Sequence, residues 1–247
     1  MPFTAKSGKF NASINTVEFG TGDKAVKIGG ENVFPLYSFD AAIENAPKVG
    51  IEITDFGMEH EPECIKKYYE GCATLADMAR KAASMEGVDF LSFRMEGGDP
   101  NGANKSTEEL IGELKEIADA VDLPLVVCGC KNVEKDAELF SKAAEALNGK
   151  NAVILSAKEE NYKSVGAAAG LAYKQIVGAE SAVDINLAKQ LNVLISQLGV
   201  DSKSVVMNVG SAAVGYGFEY VISTMDRVKA AALQQGDANL QMPIITP

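Results

Sequence analysis

The sequence has few basic residues, few cysteines and no long apolar run. Its 23 Lys and Arg residues stand against 34 Asp and Glu, so the formal net charge is -11. This balance argues against binding to nucleic acid or to a membrane surface. No apolar run reaches transmembrane length, and no basic-plus-apolar leader opens the chain. Because 47% of the 247 residues are hydrophobic, a sizeable core is expected, and we predict a soluble cytoplasmic protein.

Cysteine and histidine are too sparse and too widely spaced for the usual metal centres. The four cysteines do not suggest a disulfide scaffold. Cys128 and Cys130, taken together with the distant Cys64 and Cys72, match neither zinc nor iron–sulfur spacing. Free buried thiols are the favoured interpretation, and no metal site is predicted. The single histidine, His60, lies in an acidic loop, which favours a solvated residue over a catalyst. It also lacks the Asp-x-His-x-x-Gly context of domains that ligate cobalt through histidine.

Apolar strand-like runs alternate with amphipathic segments along most of the chain. Strands are predicted to start near residues 49, 89, 125, 152, 182, 204 and 243, and helices to cover about 64–85, 107–121, 133–147, a segment from 162 through 171, 187–198 and 218–233. Such alternation implies a parallel sheet with right-handed crossovers. The number of units, and the lack of a Gly-rich loop after the first strand, favour a TIM (β/α)₈-type barrel over an open dinucleotide-binding sheet.

The barrel is predicted to be incomplete and to be preceded by an N-terminal extension. A closed barrel needs an eighth strand, so the domain over 48–247 reads as truncated after strand seven, unless another chain fills the gap. Within residues 1–47, the runs 25–28 and 33–37 flank Gly29-Gly30 and predict a hairpin, with Pro35 favouring an edge position. Such a hairpin can close the bottom of a barrel.

Polar residues follow the predicted strands, beginning with the loop GGDPNGAN at 97–104. This loop joins the predicted strand 88–95 to a capping box, Ser106 to Glu109, that opens a helix. In a barrel such loops share one face. The candidate binding residues on this face are Asp99, Asn101, Asn104, Asn161, Tyr162, Asp184, Asn186, Asn208 and Tyr216.

Two features of this set allow more than one interpretation. Asp184 and Asn186 would point the same way on a strand; in the alternative interpretation, Asp184 ends the strand and Asn186 caps the next helix. The glycines from Gly210 to Gly217 can bring backbone amides to a phosphate. That run lacks the Lys-Ser/Thr of a P-loop, so the signal is weak.

Read in order, these loops resemble one known family, the small (delta) subunit of the corrinoid iron–sulfur protein of the acetyl-CoA decarbonylase/synthase system. The resemblance runs from about Phe34 to the last residue. The matching text is GGDPNGAN (97–104), PLVVCGCKNVEKD (124–136), AKEENYKS (157–164), VDINLAKQLNVLI (183–195) and GYGFEY (215–220), followed by MDRVKAAALQ and MPIIT. Strand six ends in Asn208-Val209, where some relatives have Asp-Pro, which weakens a role for residue 208.

The resemblance implies a TIM barrel related to pterin-binding methyltransferases, in a heterodimer with a large subunit that holds a 4Fe–4S cluster and the corrinoid (cobalamin). The complex would accept a methyl group from a methyltetrahydropterin through a methyltransferase. It would deliver that group to acetyl-CoA synthase/CO dehydrogenase in the reductive acetyl-CoA pathway. This chain would hold no cluster and no catalytic residue, and its polar ring would contact the partner's corrinoid.

Two other functions are weighed against this one. The barrel could itself bind the methylated pterin as a methyltransferase, through Asp99, Asn161, Asp184 and Asn186. An unrelated barrel aldolase would need a Schiff-base lysine at a strand end, for which Lys163 is the nearest candidate.

Overall fold

The computed structural model describes residues 8–34, 37 and 40–247. A short antiparallel hairpin, β1 (Val17–Phe19) and β2 (Val26–Ile28), precedes a six-stranded parallel sheet. The sheet strands are β3 (Gly50–Thr54), β4 (Phe90–Arg94), β5 (Leu125–Cys128), β6 (Val153–Ala157), β7 (Ile176–Glu180) and β8 (Val205–Asn208). The predicted α/β class with a parallel sheet is therefore confirmed.

Seven α-helices accompany these strands in the described part of the chain. They are α1 (Glu63–Tyr68), α2 (Leu75–Ala83), α3 (Thr107–Ala120), α4 (Val133–Ala146), α5 (Tyr162–Val165), α6 (Ile185–Gln197) and α7 (Phe218–Gln234). A π-helical segment, Gly166–Ala172, continues α5. None of the helices built from described residues has the length and hydrophobicity needed to cross a bilayer.

Each sheet strand pairs in parallel with the next strand in sequence, in the order β3-β4-β5-β6-β7-β8. Beyond β8, Ile244 forms a parallel bridge with Met207. The Met207 N–H donates to the Pro243 carbonyl at 2.8 Å, and the Ile245 N–H donates to the Met207 carbonyl at 2.9 Å. The predicted seventh run therefore extends the sheet next to β8.

The two faces of the sheet bury different partners. One face packs on the helices, with Phe93, Ile154 and Met207 fully buried. On the other face, hairpin and strand side chains form a separate core that includes Val17, Phe19, Val26, Val126, Leu155 and Val206. The Gly20 N–H donates to the Asn151 carbonyl at 2.7 Å, just ahead of β6. The hairpin therefore covers the amino-terminal end of this face.

The hairpin itself differs from the predicted one. β2 pairs with Val17–Phe19, which lies before it, rather than with the run 33–37 that follows Gly29-Gly30. Val17 and Phe19 are fully buried against the sheet, so burial rather than the glycine pair decides the pairing. Pro35 and Leu36 lie outside the described residues. The division into 1–47 and 48–247 stays a prediction.

The fifth repeat strand was predicted at 181–185, and this is wrong. β7 occupies Ile176–Glu180, five residues earlier. A Cβ at Gly178 would lie 2.2 Å from the Leu155 Cδ2 atom on β6 and 3.1 Å from the Ile154 carbonyl oxygen, so a larger residue would force these neighbours to shift. This glycine makes the short run Ile-Val-Gly-Ala a weak strand signal in the sequence.

The single helix predicted over 64–85 is two helices in the structure. The chain turns at Gly71, whose φ of 87° favours glycine. Thr74 then begins α2 with a capping box: its hydroxyl accepts the Asp77 N–H at 3.1 Å, and the Asp77 carboxylate accepts the Thr74 N–H at 3.2 Å. The turn at Gly71 and the capping box at Thr74 therefore divide the segment into two helices, although its helical periodicity is continuous.

Candidate functional site

The polar loops predicted to form a site do meet at one edge of the sheet, because they follow the carboxyl ends of neighbouring parallel strands. Residues 97–104 follow β4, Asn161 follows β6, Asp184 follows β7 and Asn208 ends β8. Shared location does not make these side chains available, however. Their hydrogen bonds separate those that build the loops from those that face outward.

The loop 97–104 is fixed to the end of β3 by Asp55, whose side chain is fully buried. The Gly97 N–H donates to both Asp55 carboxylate oxygens, at 2.9 and 3.1 Å. Lys105 lies at the other end of the loop, with its Nζ 3.0 Å from Asp55 Oδ2 and donating to the Asp55 carbonyl at 2.8 Å. One aspartate thus holds both ends of the loop.

Lys105 also reaches Glu113 on α3, at 3.1 Å. Burial raises the pKa of Glu113, and Lys105 opposes that shift. For Lys105 itself, burial lowers the pKa and the two carboxylates raise it, with a net increase. The cluster of Asp55, Lys105 and Glu113 is therefore an ion-pair network whose shown contacts position the loop.

Within the loop, two of the three predicted residues bind each other. The Asp99 carboxylate accepts the Asn101 N–H at 3.0 Å and the Asn101 side-chain amide at 3.3 Å. Asn104 is exposed and has a φ of 52°, a conformation that asparagine tolerates better than most residues. Of the three, Asn104 is the side chain that faces solvent without a described partner.

Asn161 is buried and serves the fold. Its Oδ1 accepts the Lys158 N–H at 2.7 Å, and its Nδ2 donates to the Val133 carbonyl at 3.3 Å. Tyr162 begins α5 and is half-buried, with the Lys163 ammonium 5.9 Å from its ring centre. Through Val133, Asn161 ties the loop after β6 to the start of α4.

Asp184 and Asn186 are not on a strand, so they do not form the predicted strand-face pair. Asp184 is the N-cap of α6, and its carboxylate accepts the Asn186 N–H at 2.8 Å and the Leu187 N–H at 3.1 Å. The alternative interpretation named Asn186 as the capping residue, and this is wrong: Asp184 caps the helix. The Asn186 side chain is exposed in the first turn of the helix.

Asn208 and Tyr216 follow β8 and differ completely in exposure. Asn208 is 4% exposed, and its Nδ2 donates to the Ser156 hydroxyl at 2.9 Å while its Oδ1 accepts the Gly210 N–H at 3.0 Å. Tyr216 is 88% exposed. The glycines of this run at φ of 78° and 109°, Gly215 and Gly217, turn the chain into α7; a phosphate cradle there stays a prediction.

Sequence reasoning missed a charged pair inside the sheet. The Arg94 guanidinium on β4 binds Glu52 on β3 through two bonds, Nε to Oε1 at 2.8 Å and Nη2 to Oε2 at 2.9 Å. Ser92 also donates to Glu52 at 3.2 Å and lies 3.5 Å from the Cys128 sulfur. The available signal was a charge at alternate positions of otherwise apolar strands, since such residues must share the face opposite the helices.

The remaining candidates show no constellation for nucleophilic or metal chemistry. Cys128 and Cys130 are buried free thiols, and burial raises the pKa of Cys128 to about 11. His60 is exposed and packs its ring 4.8 Å from that of Phe56. Within the ranges that the structure describes, no three His, Cys, Asp or Glu residues are grouped so as to hold a metal ion.

Two depressions of the described surface lie away from the loop 97–104. One, of about 700 Å³, lies beside the hairpin at the amino-terminal edge of the sheet, near Lys24 and Asp89. The other, of about 410 Å³, lies between α6 and α7 and reaches Asn186. The carboxyl-end face thus combines loops held by internal hydrogen bonds with exposed side chains such as Tyr216.

Comparison with known proteins identifies this arrangement. The sequence profile of the family described as CO dehydrogenase/acetyl-CoA synthase delta subunit matches residues 16–247. The chain belongs to this family. The resemblance to the delta-subunit family, which was drawn from the loop sequences, is therefore confirmed. The matched region includes the hairpin as well as the sheet.

Curated relatives of the delta-subunit family align over most of the chain. It is 32% identical over 238 residues to the acetyl-CoA decarbonylase/synthase complex subunit delta of Methanothermobacter thermautotrophicus, covering 95% of this chain and 60% of the relative. The corresponding subunit of Methanopyrus kandleri is 33% identical over 226 residues, with 91% and 56% covered. That of Archaeoglobus fulgidus is 31% identical over 230 residues, with 91% and 50% covered. The chain thus spans 50% to 60% of the length of these relatives.

Proposed function

We propose that this chain acts as a delta-type, non-catalytic subunit of an acetyl-CoA decarbonylase/synthase complex. In this role it supports methyl transfer from a methyltetrahydropterin, through a corrinoid held by the large subunit of the corrinoid iron–sulfur protein, to acetyl-CoA synthase. The observation that carries the proposal is the family match over residues 16–247. The relatives are named as subunits of a complex, which supports a role in assembly.

The exposed side chains of the carboxyl-end face are arranged to contact the edge of a corrinoid rather than to enclose a ligand in a pocket. Asn104, Asn186 and Tyr216 are exposed, and none of the three has a described side-chain hydrogen bond. Amide and phenol groups pair well with the amide-bearing periphery of a corrin ring. The other predicted contacts, including Asn161 and Asn208, are buried in loop hydrogen bonds.

What this chain can contribute follows from which of its polar side chains are exposed and which are buried. A corrinoid, when bound, would supply the methyl-transfer chemistry. This chain's exposed amides orient the neighbouring surface, and its closed networks keep that surface in place without reorganisation. Asn104, Asn186 and Tyr216 therefore contact the corrinoid, and Asp55 and Asp184 position the loops.

We also propose that the sheet belongs to a TIM (β/α)₈ barrel. The support is the strictly sequential parallel order, the hairpin covering the inner face, and the bridge at Ile244. In the described chain, β3 pairs with β4 and its other edge has no strand partner. The eighth strand would lie between that edge and the segment at Ile244. Hydrogen exchange tests this: the β3 amides should gain protection when the complex assembles, and an unchanged β3 would contradict closure.

The pterin-binding alternative has less support. Three of its four residues already accept hydrogen bonds from the backbone of their own loops: Asp99, Asn161 and Asp184. Calorimetry of the chain with methyltetrahydrofolate separates the two functions. Micromolar binding by the chain alone would favour the methyltransferase and contradict the subunit proposal.

The direct test is co-purification with the large subunit carrying its corrinoid. We expect one complex whose visible corrinoid spectrum differs from that of the large subunit alone. Replacing Asn104 and Asn186 with alanine should reduce this spectral change, whereas Asn148→Ala, an exposed asparagine after α4, should not. A chain that purifies alone as a stable, active monomer would contradict the proposal.

A further inference from the structure

The groove of about 410 Å³ between α6 and α7 has a positively charged lining, although the chain as a whole is acidic. Its charged lining residues are Lys189 on α6, Arg227 on α7 and Asp237 just after α7. Two cations against one carboxylate leave one positive charge in excess. A positive concavity on a chain of net charge -11 raises the local concentration of anions. We call this depression the α6–α7 groove.

The sequences of the two helices leave these cations without carboxylates of their own helix. Lys189 is the only charged residue of α6. On α7, the residues one turn before and one turn after Arg227 are uncharged: Ser223, Thr224, Ala230 and Ala231. An acidic residue at any of these positions would pair with the guanidinium. The charge of Arg227 is therefore not neutralised within its helix.

Arg227 differs in this respect from the two other arginines of the chain. Arg80 binds Asp77 at 2.8 Å. Arg94 binds Glu52, also at 2.8 Å. Arg227 is exposed, and among the described residues no carboxylate lies within ion-pair distance of it. Its guanidinium is free to bind an oxyanion through two parallel N–H groups.

The second cation, Lys189, is held in the groove by Asp237. The Lys189 Nζ lies 2.6 Å from Asp237 Oδ2. Asp237 is itself fixed, since its N–H donates to the Ala231 carbonyl at 3.1 Å and its Oδ1 accepts the Asn239 N–H at 3.1 Å. An ammonium group has three N–H donors. Lys189 can therefore bind a ligand while it remains paired with Asp237.

Part of the groove wall is apolar and gives the site a shape as well as a charge. Ile185, Ala230, Ala231 and Leu240 line it. The two alanines have short side chains, which leave room one turn from Arg227. The volume lies within the range of about 300–1,000 Å³ that is usual for small-molecule sites. An organic anion would contact both the cations and this wall, whereas an inorganic anion would leave the wall uncovered.

We propose that the α6–α7 groove binds a small organic anion that carries one phosphate or carboxylate group. Arg227 and Lys189 bind the oxyanion, and Ala230 and Ala231 contact the apolar part of the ligand. This site goes beyond the proposed function and does not depend on it.

The test titrates the 15N-labelled chain with phenyl phosphate and, separately, with benzoate, and follows the backbone amides by NMR. We expect saturable shifts of the Lys189, Arg227 and Ala231 amides, with a Kd of about 1 mM or below for at least one of the two probes. The probe that binds more tightly identifies the preferred head group. Phenol lacks the oxyanion and inorganic phosphate lacks the apolar body, so each should bind at least about tenfold more weakly than phenyl phosphate.

Two variants of the groove examine its charge and its shape separately. Arg227→Gln should raise the Kd of the tighter probe at least about fivefold. Arg80→Gln is the matched control, because Arg80 is also an exposed helical arginine but does not line the groove, and it should leave the Kd unchanged. Ala230→Leu keeps both cations and fills the space beside them, so it should also weaken binding. Circular dichroism confirms that the variants are folded.

Several results would overturn the proposal. They are the absence of saturable shifts with both probes, an equal Kd for Arg227→Gln and Arg80→Gln, and unaltered binding by Ala230→Leu. Phenol or inorganic phosphate binding as tightly as phenyl phosphate would also contradict the ligand class. If the chain does not assemble with the large subunit and yet binds phenyl phosphate as described, the proposed function fails and this inference stands.

Discussion

Removal of the Asp55 carboxylate should destabilise the protein far more than its single position suggests. Asp55→Ala leaves the Gly97 N–H without its acceptor and deprives Lys105 of one of two carboxylate partners. Removing one member of a buried ion pair costs about 3–5 kcal/mol. Lys105 keeps Glu113 and is 20% exposed, so we expect the lower end, about 3 kcal/mol.

Asp89 offers a matched control at the other edge of the sheet. Its carboxylate also binds one backbone N–H, that of Val49 at 2.9 Å, and one lysine, Lys48 at 3.3 Å. Its side chain is 28% exposed, whereas that of Asp55 is fully buried. Asp89→Ala should therefore cost about 1 kcal/mol or less.

Urea unfolding followed by circular dichroism measures both variants. The midpoint should fall for Asp55→Ala with an unchanged m-value, since a lower m-value would indicate loss of two-state behaviour. Asp55→Asn, which keeps an acceptor for the Gly97 N–H, should be less destabilising than the alanine variant. Equal losses for Asp55→Ala and Asp89→Ala would refute the argument that burial gives this network its strength.

Three further outcomes follow from the site. Asp184→Ala should lower the free energy of unfolding by about 1 kcal/mol, and Asp184→Asn should restore most of it; a variant as stable as the parent would show that the cap is unimportant. Because burial raises the pKa of Cys128 to about 11, roughly one thiol in a thousand is ionised near pH 8. Iodoacetamide should therefore label the exposed Cys64 well before Cys128, as read by peptide mass spectrometry, and early labelling of Cys128 would contradict its burial. Burial raises the pKa of Glu113 above its ordinary 4.5, with Lys105 opposing, so the Glu113 contribution to stability is full below about pH 4.5 and is lost as pH rises through the folded-state pKa. Urea unfolding across this window should show the parent losing stability relative to Glu113→Gln as pH rises, and a constant difference would count against the assignment.

The regular elements were predictable wherever one strong signal acted alone. The strands near Leu91 and Val153 are short apolar runs bounded by turn residues, and Ser106 caps α3 with its hydroxyl accepting the Glu109 N–H at 3.1 Å. β7 was misplaced because Gly178 interrupts its apolar run, and this glycine packs closely against Leu155 on the neighbouring strand β6. That constraint is tertiary and leaves no periodicity in the sequence.

The candidate site was predictable in location but not in detail. Parallel alternation is enough to bring the loops of Asn104 and Asn208 to one edge. Which amides remain free depends on partners far away in sequence, such as Ser156 for Asn208. The Arg94–Glu52 pair was missed because its two charges lie in separate strands and become neighbours only when those strands pair.

The hairpin places an unusual demand on the order of folding. Its segment precedes the parallel sheet in the sequence, yet the Gly20 N–H donates to the Asn151 carbonyl and the Asn15 N–H donates to the Gln241 carbonyl. Val17 and Phe19 also share their core with Val206 and Ile245. Contacts that span nearly the whole chain form slowly because the loop-closure entropy must be lost before they stabilise anything. The side chains of β1 are therefore fully buried only once Val206 and Ile245 are in place.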